Sequence, residues 1–144
     1  AYDQYWSGST KPGSVSGLAW TEQGIIDYLS YGIPRSKLFL GVPLYVREWK
    51  VDKAGNVIGS RAVLMKDIPA LLAEVDETTS FDPAFGQTKV TYVRDGQTYM
   101  FWMETEQTIK ARIELAKKYD LAGVAVWRLG YEPPELWTMM LRMK

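Results

Sequence analysis

The sequence contains neither cysteine nor histidine. The lack of cysteine excludes disulfides, zinc–thiolate sites and thiol nucleophiles. The lack of histidine excludes a Ser-His-Asp triad, the usual general base and most transition-metal sites. We therefore expect no metal site, and nothing in the sequence indicates a cofactor. Any proton chemistry must use carboxylates, tyrosines, lysines or a group of the substrate itself.

The sequence also lacks an excess of charge and any long apolar run. Its 17 Lys and Arg residues balance 17 Asp and Glu residues. Phosphate binding needs an excess of basic residues on one face, so we expect no nucleic acid as a partner. No apolar stretch reaches the ~18 residues of a membrane span. No secretory signal is visible, but the chain opens inside what reads as a strand end, so that absence is uninformative.

Aromatic side chains, in contrast, are abundant. The 144 residues fit one domain and include six Trp and nine Tyr. Core packing is the ordinary explanation for most of them. The alternative is sugar binding, because the C–H groups of a pyranose lie flat on aromatic rings and indole adds an N–H donor.

Two segments predict buried parallel strands. Residues 37–44 and 121–127 are near-continuous apolar runs without alternation, which is typical of strands buried on both faces. A helix is predicted from Thr21 to about Tyr31, and Gly32 suits the position just past its end. Further helices are predicted over residues 105–119 and 135–143.

The middle of the chain has a different character. Residues 51–58 surround Gly55-Asn56 and predict a small hairpin, and residues 67–75 predict a short helix. Residues 89–94 and 97–103 flank Asp95-Gly96, the commonest signal for a type I′ hairpin. This section is antiparallel and α+β in style.

The order of elements predicts the topology. Without the middle section, strands and helices alternate, which implies parallel βα units with right-handed crossovers. The predicted fold class is therefore α/β with an inserted α+β subdomain. With the strand end that carries Tyr2 and Asp3, the chain has three parallel strands. Three do not close a barrel, and a complete (β/α)8 barrel needs roughly 250 residues. The chain is either a small open α/β domain or a piece of a barrel.

Polar and aromatic residues follow each of the predicted parallel strands, where working residues of such folds cluster. The three groups are Tyr2 and Asp3; Tyr45, Arg47 and Trp49; and Trp127, Arg128 and Glu132. Together they suit a neutral, hydroxyl-rich ligand. Core aromatics and surface ion pairs are the competing explanation.

At these residues the sequence resembles the family 18 glycoside hydrolases over essentially its whole length. Ala1-Tyr2-Asp3 resembles the Met-x-Tyr-Asp motif that ends the sixth barrel strand. KLFLGVPLYVR, residues 37–47, is similar to the seventh-strand pattern LGxPxYGR. Phe101-Trp102 with Glu104 resembles the motif that closes the insertion, and LAGVAVWRLG, residues 121–130, resembles the eighth strand with its floor tryptophan. The segment Trp6-Ser7-Gly8, which follows Tyr2-Asp3, is most similar to that of bacterial cell-wall and spore-cortex enzymes.

The resemblance implies the fold and its division. The chain would be the C-terminal portion of a (β/α)8 TIM barrel, strands six to eight. Residues 1–48 and 104–144 would belong to the barrel, and residues 49–103 would be the inserted subdomain. It also implies an extracellular, cell-wall or spore location.

The resemblance further implies a reaction and roles for residues. The family cleaves β-linked N-acetylglucosamine glycans, such as chitin or peptidoglycan, by a substrate-assisted route that needs one acid and groups orienting the acetamide. Tyr2 would bind the acetamido oxygen and Asp3 the sugar and the acid. Trp127 would form the floor of the cleft, Tyr45 and Arg47 would line it, and Trp102 would form its wall.

Two departures from the family pattern matter. Val46 stands where the family has Gly, and the strand-four motif Asp-x-x-Asp-x-Asp-x-Glu, which carries the general acid, does not occur. We therefore expect an inactive fragment of a larger hydrolase. The alternatives are a glycan-binding, lectin-like module and a structural domain with core aromatics. A fragment of a barrel would leave open sheet edges, so we expect self-association.

Overall fold

The computed structural model describes residues 1–144 and contains four helices and seven strands in two sheets. In chain order these are α1 (Leu18–Ser30), β1 (Phe39–Pro43), β2 (Tyr45–Val51), β3 (Val57–Leu64), α2 (Ile68–Ala73), β4 (Thr78–Asp82), β5 (Gln87–Arg94), β6 (Gln97–Trp102), α3 (Glu106–Lys118), β7 (Gly123–Trp127) and α4 (Leu136–Arg142). No helix is long and apolar enough to cross a membrane.

The first sheet consists of β1 and β7, which are parallel neighbours as predicted. Leu40 lies opposite Val124, and Pro43 lies opposite Trp127. The backbone N–H of Leu44 continues the contact by donating to the Trp127 carbonyl at 2.8 Å. The α/β class predicted from the two apolar runs is thus confirmed.

Helices α1, α3 and α4 supply the core that covers this sheet. Val42, Leu44 and Ile109 are completely buried in it. Each such aliphatic side chain stabilises the fold by roughly 1.5–3 kcal/mol. The predicted helix over residues 105–119 is present as α3, whose N-cap is Thr105 and whose amphipathic spacing places Ile109 on the buried face.

The predicted start of α1 at Thr21 was wrong. The helix begins at Leu18, and Gly17 occupies the N-cap position. Thr21 lies inside the first turn, where its hydroxyl donates to the Gly17 carbonyl at 2.8 Å. A buried threonine bonded to the carbonyl four residues earlier resembles a cap in sequence but is an interior residue. The predicted end was right, since Gly32 has a φ of 83° just beyond Tyr31.

The second sheet is antiparallel, with strand order β3-β2-β6-β5-β4. Both predicted hairpins are present, as β2–β3 and β5–β6. Asp95 and Gly96 both have positive φ values, 51° and 72°, which the type I′ turn requires. Strand β4 was not predicted, because its residues 78–82 are largely exposed and lack an apolar alternation.

The two faces of this sheet have different partners. Helix α2 packs on one face against Val46, Val63 and Phe101. The other face carries Trp49 and Trp102, which pack near Phe85. The sequence predicted a boundary between barrel and insertion after residue 48, and strand β2 runs through that position. The division of the chain at 48/49 and 103/104 stays a prediction.

The N-terminal residues do not form the strand end that the sequence predicted. No strand is assigned before β1. The Ala1 amino group nevertheless donates to the Gly41 carbonyl at 2.9 Å, so the segment lies beside β1. One such contact does not make a ladder, which needs successive paired residues.

Candidate functional site

The candidate site forms where β1 and β7 end at the same edge. The chain leaves β1 at Pro43 and enters β2 at Tyr45, next to Trp127 at the end of β7. The N-terminal segment lies beside β1 and brings Tyr2 and Asp3 to this edge. Parallel pairing explains why residues more than 80 positions apart meet here.

Asp3 and Tyr45 form the polar centre of the site. The Tyr45 hydroxyl donates to Asp3 Oδ1 at 2.7 Å. Asp3 is exposed and has a φ of 61°, whereas Tyr45 is 7% exposed. Burial, followed by the hydrogen bond to Asp3, raises the pKa of Tyr45 well above its usual value. Tyr45 therefore stays a neutral donor that orients one oxygen of the Asp3 carboxylate.

Aromatic rings surround this pair. The Tyr2 ring lies 6.5 Å from that of Tyr45 and 6.1 Å from that of Trp127, between centroids. Trp127 is 49% exposed, so half of the indole is available to a ligand. Ring spacings of 4.5–7 Å are typical of packed aromatic pairs. The rings of Tyr2, Tyr45 and Trp127 thus form a partly exposed aromatic platform beside the Asp3 carboxylate and the two tyrosine hydroxyls.

Tyr131 belongs to the same cluster, and sequence reasoning missed it. Its ring meets that of Tyr45 edge-on at 6.5 Å, and the Arg128 guanidinium lies 5.2 Å from its centroid. Its position four residues after the end of β7 was the available signal, because loops after parallel strands carry site residues.

Arg47 extends the site along β2. Residues of a strand alternate between faces, so Arg47 and Tyr45 share one face. Its Nη1 donates to Ser60 Oγ at 3.1 Å. Its Nε is buried and has no hydrogen-bond partner within the protein.

The structure does not bring Trp102 to the Asp3 cluster. Trp102 is 5% exposed, and its Nε1 donates to Asp82 Oδ2 at 2.9 Å. Its ring packs edge-on against Phe85 at 5.2 Å. Trp49, from the same predicted strand end as Tyr45, is fully buried and donates to the Gly13 carbonyl at 2.8 Å. Both indoles support the second sheet.

Glu132 also turns away from the platform. Its carboxylate accepts from the Gly130 N–H at 2.7 Å and from Trp137 Nε1 at 2.8 Å. Hydrogen bonds, the largest from its own backbone N–H, lower the pKa of Glu132. This acid closes the turn after β7.

A buried polar network holds the segment that carries Tyr2 and Asp3. Arg112 and Glu104 are almost fully buried and form an ion pair. Arg112 also donates to the Ser16 carbonyl at 2.6 Å and to Ser16 Oγ at 2.9 Å. Ser16 Oγ in turn donates to the Ala1 carbonyl at 2.6 Å. Glu104 of the predicted aromatic–acidic motif thus helps to anchor the N-terminal segment through Arg112 of α3.

Comparisons with known proteins show what the chain is similar to. The glycosylase YvbX of Bacillus subtilis is 28% identical over 139 residues, which is 94% of this chain and 38% of that protein. The structure of the Bacillus cereus spore cortex-lytic enzyme SleL superposes with a TM-score of 0.84 at 24% identity, covering 99% of this chain and 33% of that one.

A class V chitinase mutant from Cycas revoluta, solved with (GlcNAc)3, superposes with a TM-score of 0.77 at 21% identity. The superposition covers 99% of this chain and 43% of that one. The chain therefore spans between a third and a half of the relatives it matches. The family model for glycosyl hydrolases family 18 matches residues 1–132. That match covers nearly the whole chain, and the protein belongs to glycosyl hydrolases family 18.

Proposed function

We propose that this chain forms one side of the glycan-binding cleft in a hydrolase that cleaves β-1,4-linked N-acetylglucosamine polymers, chitin or peptidoglycan. The observation that carries the proposal is the platform at the end of β7. Trp127 is half exposed beside Tyr2, and Asp3 is oriented by Tyr45 at 2.7 Å. An aromatic face next to hydroxyl and carboxylate groups matches a sugar, which has an apolar face and polar edges.

The proposed reaction is substrate-assisted hydrolysis with retention. The acetamido oxygen of the substrate attacks the anomeric carbon, so the protein must orient the acetamide and protonate the leaving oxygen. We assign the Tyr2 hydroxyl to the acetamido oxygen and Asp3 to the sugar and to the general acid. Tyr45 fixes Asp3, because a buried neutral phenol holds one carboxylate oxygen through its hydrogen bond.

The remaining residues would shape the cleft. Trp127 is assigned to the floor beneath the reacting sugar, and Arg47 lines the cleft. The guanidinium of Arg47 supports this role, because it is half-buried, is held by Ser60 at 3.1 Å and belongs to the same face of β2 as Tyr45. Trp102 would act indirectly, since it is buried and supports the wall formed by the second sheet.

We further propose that this chain corresponds to strands six to eight of a (β/α)8 barrel, with residues 49–103 as its insertion. Its coverage of only 33% of the SleL structure supports this view. The acid-bearing motif of strand four does not occur in the sequence. The chain alone should therefore bind glycan without cleaving it, because the acid contributes about 10²–10⁴-fold in rate.

The same missing motif supports a second candidate, a non-catalytic glycan-binding module of this fold. The two differ in whether a longer parent supplies the general acid. In either case we propose an extracellular, cell-wall or spore location, in keeping with the spore cortex-lytic enzyme to which the chain is similar.

Titration of the chain with an N-acetylglucosamine tetramer tests the proposal. Tryptophan fluorescence or calorimetry should detect binding, and Trp127→Ala should weaken it about tenfold or more. Phe81→Ala is the control, because Phe81 is 68% exposed on β4, the strand of the second sheet farthest from β2. Equal loss in both variants, or no binding at all, would contradict the proposed site. Release of a chromophore from a chitobiose glycoside by the pure chain would contradict the inactive assignment.

A further inference from the structure

Two cavities meet at the free edge of the second sheet. Strand β3 is an edge strand that pairs with no strand other than β2, and at its start the Val57 N–H donates to the Thr10 carbonyl at 3.1 Å. On one side of it lies a cavity of about 490 Å³, lined by the hydroxyls of Ser7, Ser9 and Thr10. On the other lies a cavity of about 240 Å³. Gly59 and Ser60 line both, so the two cavities adjoin at this strand and together form one depression along it.

The smaller cavity is basic. Lys50, Arg61 and Arg94 line it together with one acid, Glu48. Glu48 is 4% exposed and already accepts hydrogen bonds from Arg61 Nε at 2.7 Å and from the Tyr92 hydroxyl. It therefore neutralises Arg61 and leaves the other two cations.

Those two cations have little compensation. Lys50 takes part in no salt bridge, and Arg94 reaches only the exposed Glu74 at 3.7 Å. Such exposed pairs contribute little. The ring of Tyr99, which stacks at 5.4 Å on the buried ring of Tyr92, lines the cavity beside them. In a chain of zero net charge, this is a local positive surface.

The depression is connected to the candidate site. Ser60, which lines both cavities, accepts a hydrogen bond from Arg47 at 3.1 Å. Arg47 lies two residues from Tyr45, the partner of Asp3. A polymer bound at the Asp3 platform would therefore have a polar path from the platform to the edge of β3.

The edge itself can pair with an extended chain. The outward N–H and C=O groups of Ile58 to Arg61 make no backbone hydrogen bonds to other elements, and Ile58 is 54% exposed. Free strand edges bind extended peptides by adding a strand, with side-chain pockets on either side that set specificity. The hydroxyl-lined and basic cavities have that arrangement.

We propose that the β3 edge and its basic cavity bind the acidic peptide that branches from the glycan of peptidoglycan. This inference rests on the proposed function and selects peptidoglycan over chitin as the substrate class. Chitin is uncharged and unbranched, so it would leave Lys50 and Arg94 without a partner. A peptide with free carboxylates offers amide groups to the β3 edge and charge-assisted hydrogen bonds to those cations.

The test compares two soluble probes by calorimetry: an oligosaccharide of the peptidoglycan glycan that carries its acidic peptide, and the same oligosaccharide with the peptide removed. The wild-type chain should bind the branched probe about tenfold more tightly. The double variant Lys50→Gln, Arg94→Gln should lose that preference and bind the peptide-free probe as the wild type does. Lys37→Gln with Arg142→Gln is the control, because it removes the same two charges elsewhere and should keep the preference.

Three results would overturn the inference. The first is equal binding of both probes by the wild type, and the second is a preference for the branched probe that survives in Lys50→Gln, Arg94→Gln. The third is binding of a poly(glycerol phosphate) chain that is as tight as that of the branched probe and depends equally on Lys50 and Arg94. The last would show a general polyanion surface. Failure of the proposed glycan site is distinguishable, because the wild type would then not bind the peptide-free probe, or Trp127→Ala would leave that binding unchanged.

Discussion

The ion pair between Glu104 and Arg112 should dominate the stability of the segment that carries the candidate site. Both side chains are only 1% exposed. Glu104 also accepts from Thr108 Oγ1 at 2.6 Å and from Gln87 Nε2 at 2.9 Å. Glu104→Gln keeps the shape and removes the charge, so it leaves the buried guanidinium of Arg112 without a counterion.

The expected cost is large for a single atom change. Removing one partner of a buried pair typically costs 3–5 kcal/mol, and we expect about 3 kcal/mol because the glutamine oxygen still accepts hydrogen bonds. For a chain of this length that corresponds to a fall in Tm of about 6–12 °C. Glu106→Gln is the matched control two residues away. Its pair with Lys110, at 2.9 Å, is about half exposed, and its loss should cost less than about 0.5 kcal/mol.

Urea denaturation of the three proteins measures the difference. The midpoint should fall for Glu104→Gln with an unchanged slope, because the folded surface area is the same. Combining Glu104→Gln with Arg112→Met should give a protein more stable than Glu104→Gln alone, since the uncompensated charge is gone. If Glu104→Gln lies within about 0.5 kcal/mol of Glu106→Gln, the buried pair does not stabilise this segment and the reasoning fails.

Three further predictions concern pH, association and a turn. Burial and hydrogen bonds to carboxylates raise the pKa values of Tyr45 and Tyr92. The stability that the two neutral phenols give to the folded state is therefore complete below about pH 10 and is lost as the pH rises toward those raised pKa values. The free energy of unfolding should therefore fall in alkali, and less steeply in Tyr45→Phe; an unchanged slope in that variant would contradict the prediction. The isolated chain should self-associate at micromolar concentration, because Trp20, Tyr28 and Phe39, which are 41–58% exposed, line an apolar cavity of about 660 Å³ beside β1. Sedimentation should show dimers or larger species that Phe39→Asp reduces, and a clean wild-type monomer would refute this. Gly96→Ala should destabilise the fold by about 1 kcal/mol, because Gly96 in the β5–β6 hairpin has a φ of 72°. Gly24→Ala, inside α1, should stabilise the fold by about 0.5–1 kcal/mol. Thermal melts in which both variants shift Tm in the same direction would count against the turn assignment.

Some features followed from local patterns alone. The apolar runs around Val42 and Val124 predicted parallel strands, because a strand buried on both faces has no polar alternation. Asp95-Gly96 predicted its hairpin because few residue pairs adopt two successive positive φ values. The motifs around Asp3 and Trp127 indicated the family, since each lies at the end of such a strand. These signals are short-range, and a sequence contains them directly.

Other features depend on contacts between distant residues. The start of α1 was misplaced because Thr21 is a buried residue whose hydroxyl forms hydrogen bonds with Ser16 and Arg112, and only the folded chain brings these residues near. Trp102 and Trp127 look equivalent in sequence, yet one is buried beneath Phe85 and the other is half exposed. Exposure is a property of the packing around a residue, and the composition of its segment does not determine it.

The sequence by itself determined the α/β class and the antiparallel section, because hydrophobic periodicity and turn chemistry are local, and its motifs indicated four residues of the candidate site, Tyr2, Asp3, Tyr45 and Trp127. The tertiary structure alone decided which of those residues meet. Tyr45 contacts Asp3 across 42 positions, Tyr131 joins them, and the β3 edge lies open beside Lys50. Such contacts depend on strand register and on the burial of charged pairs, and both arise only when the whole chain has folded.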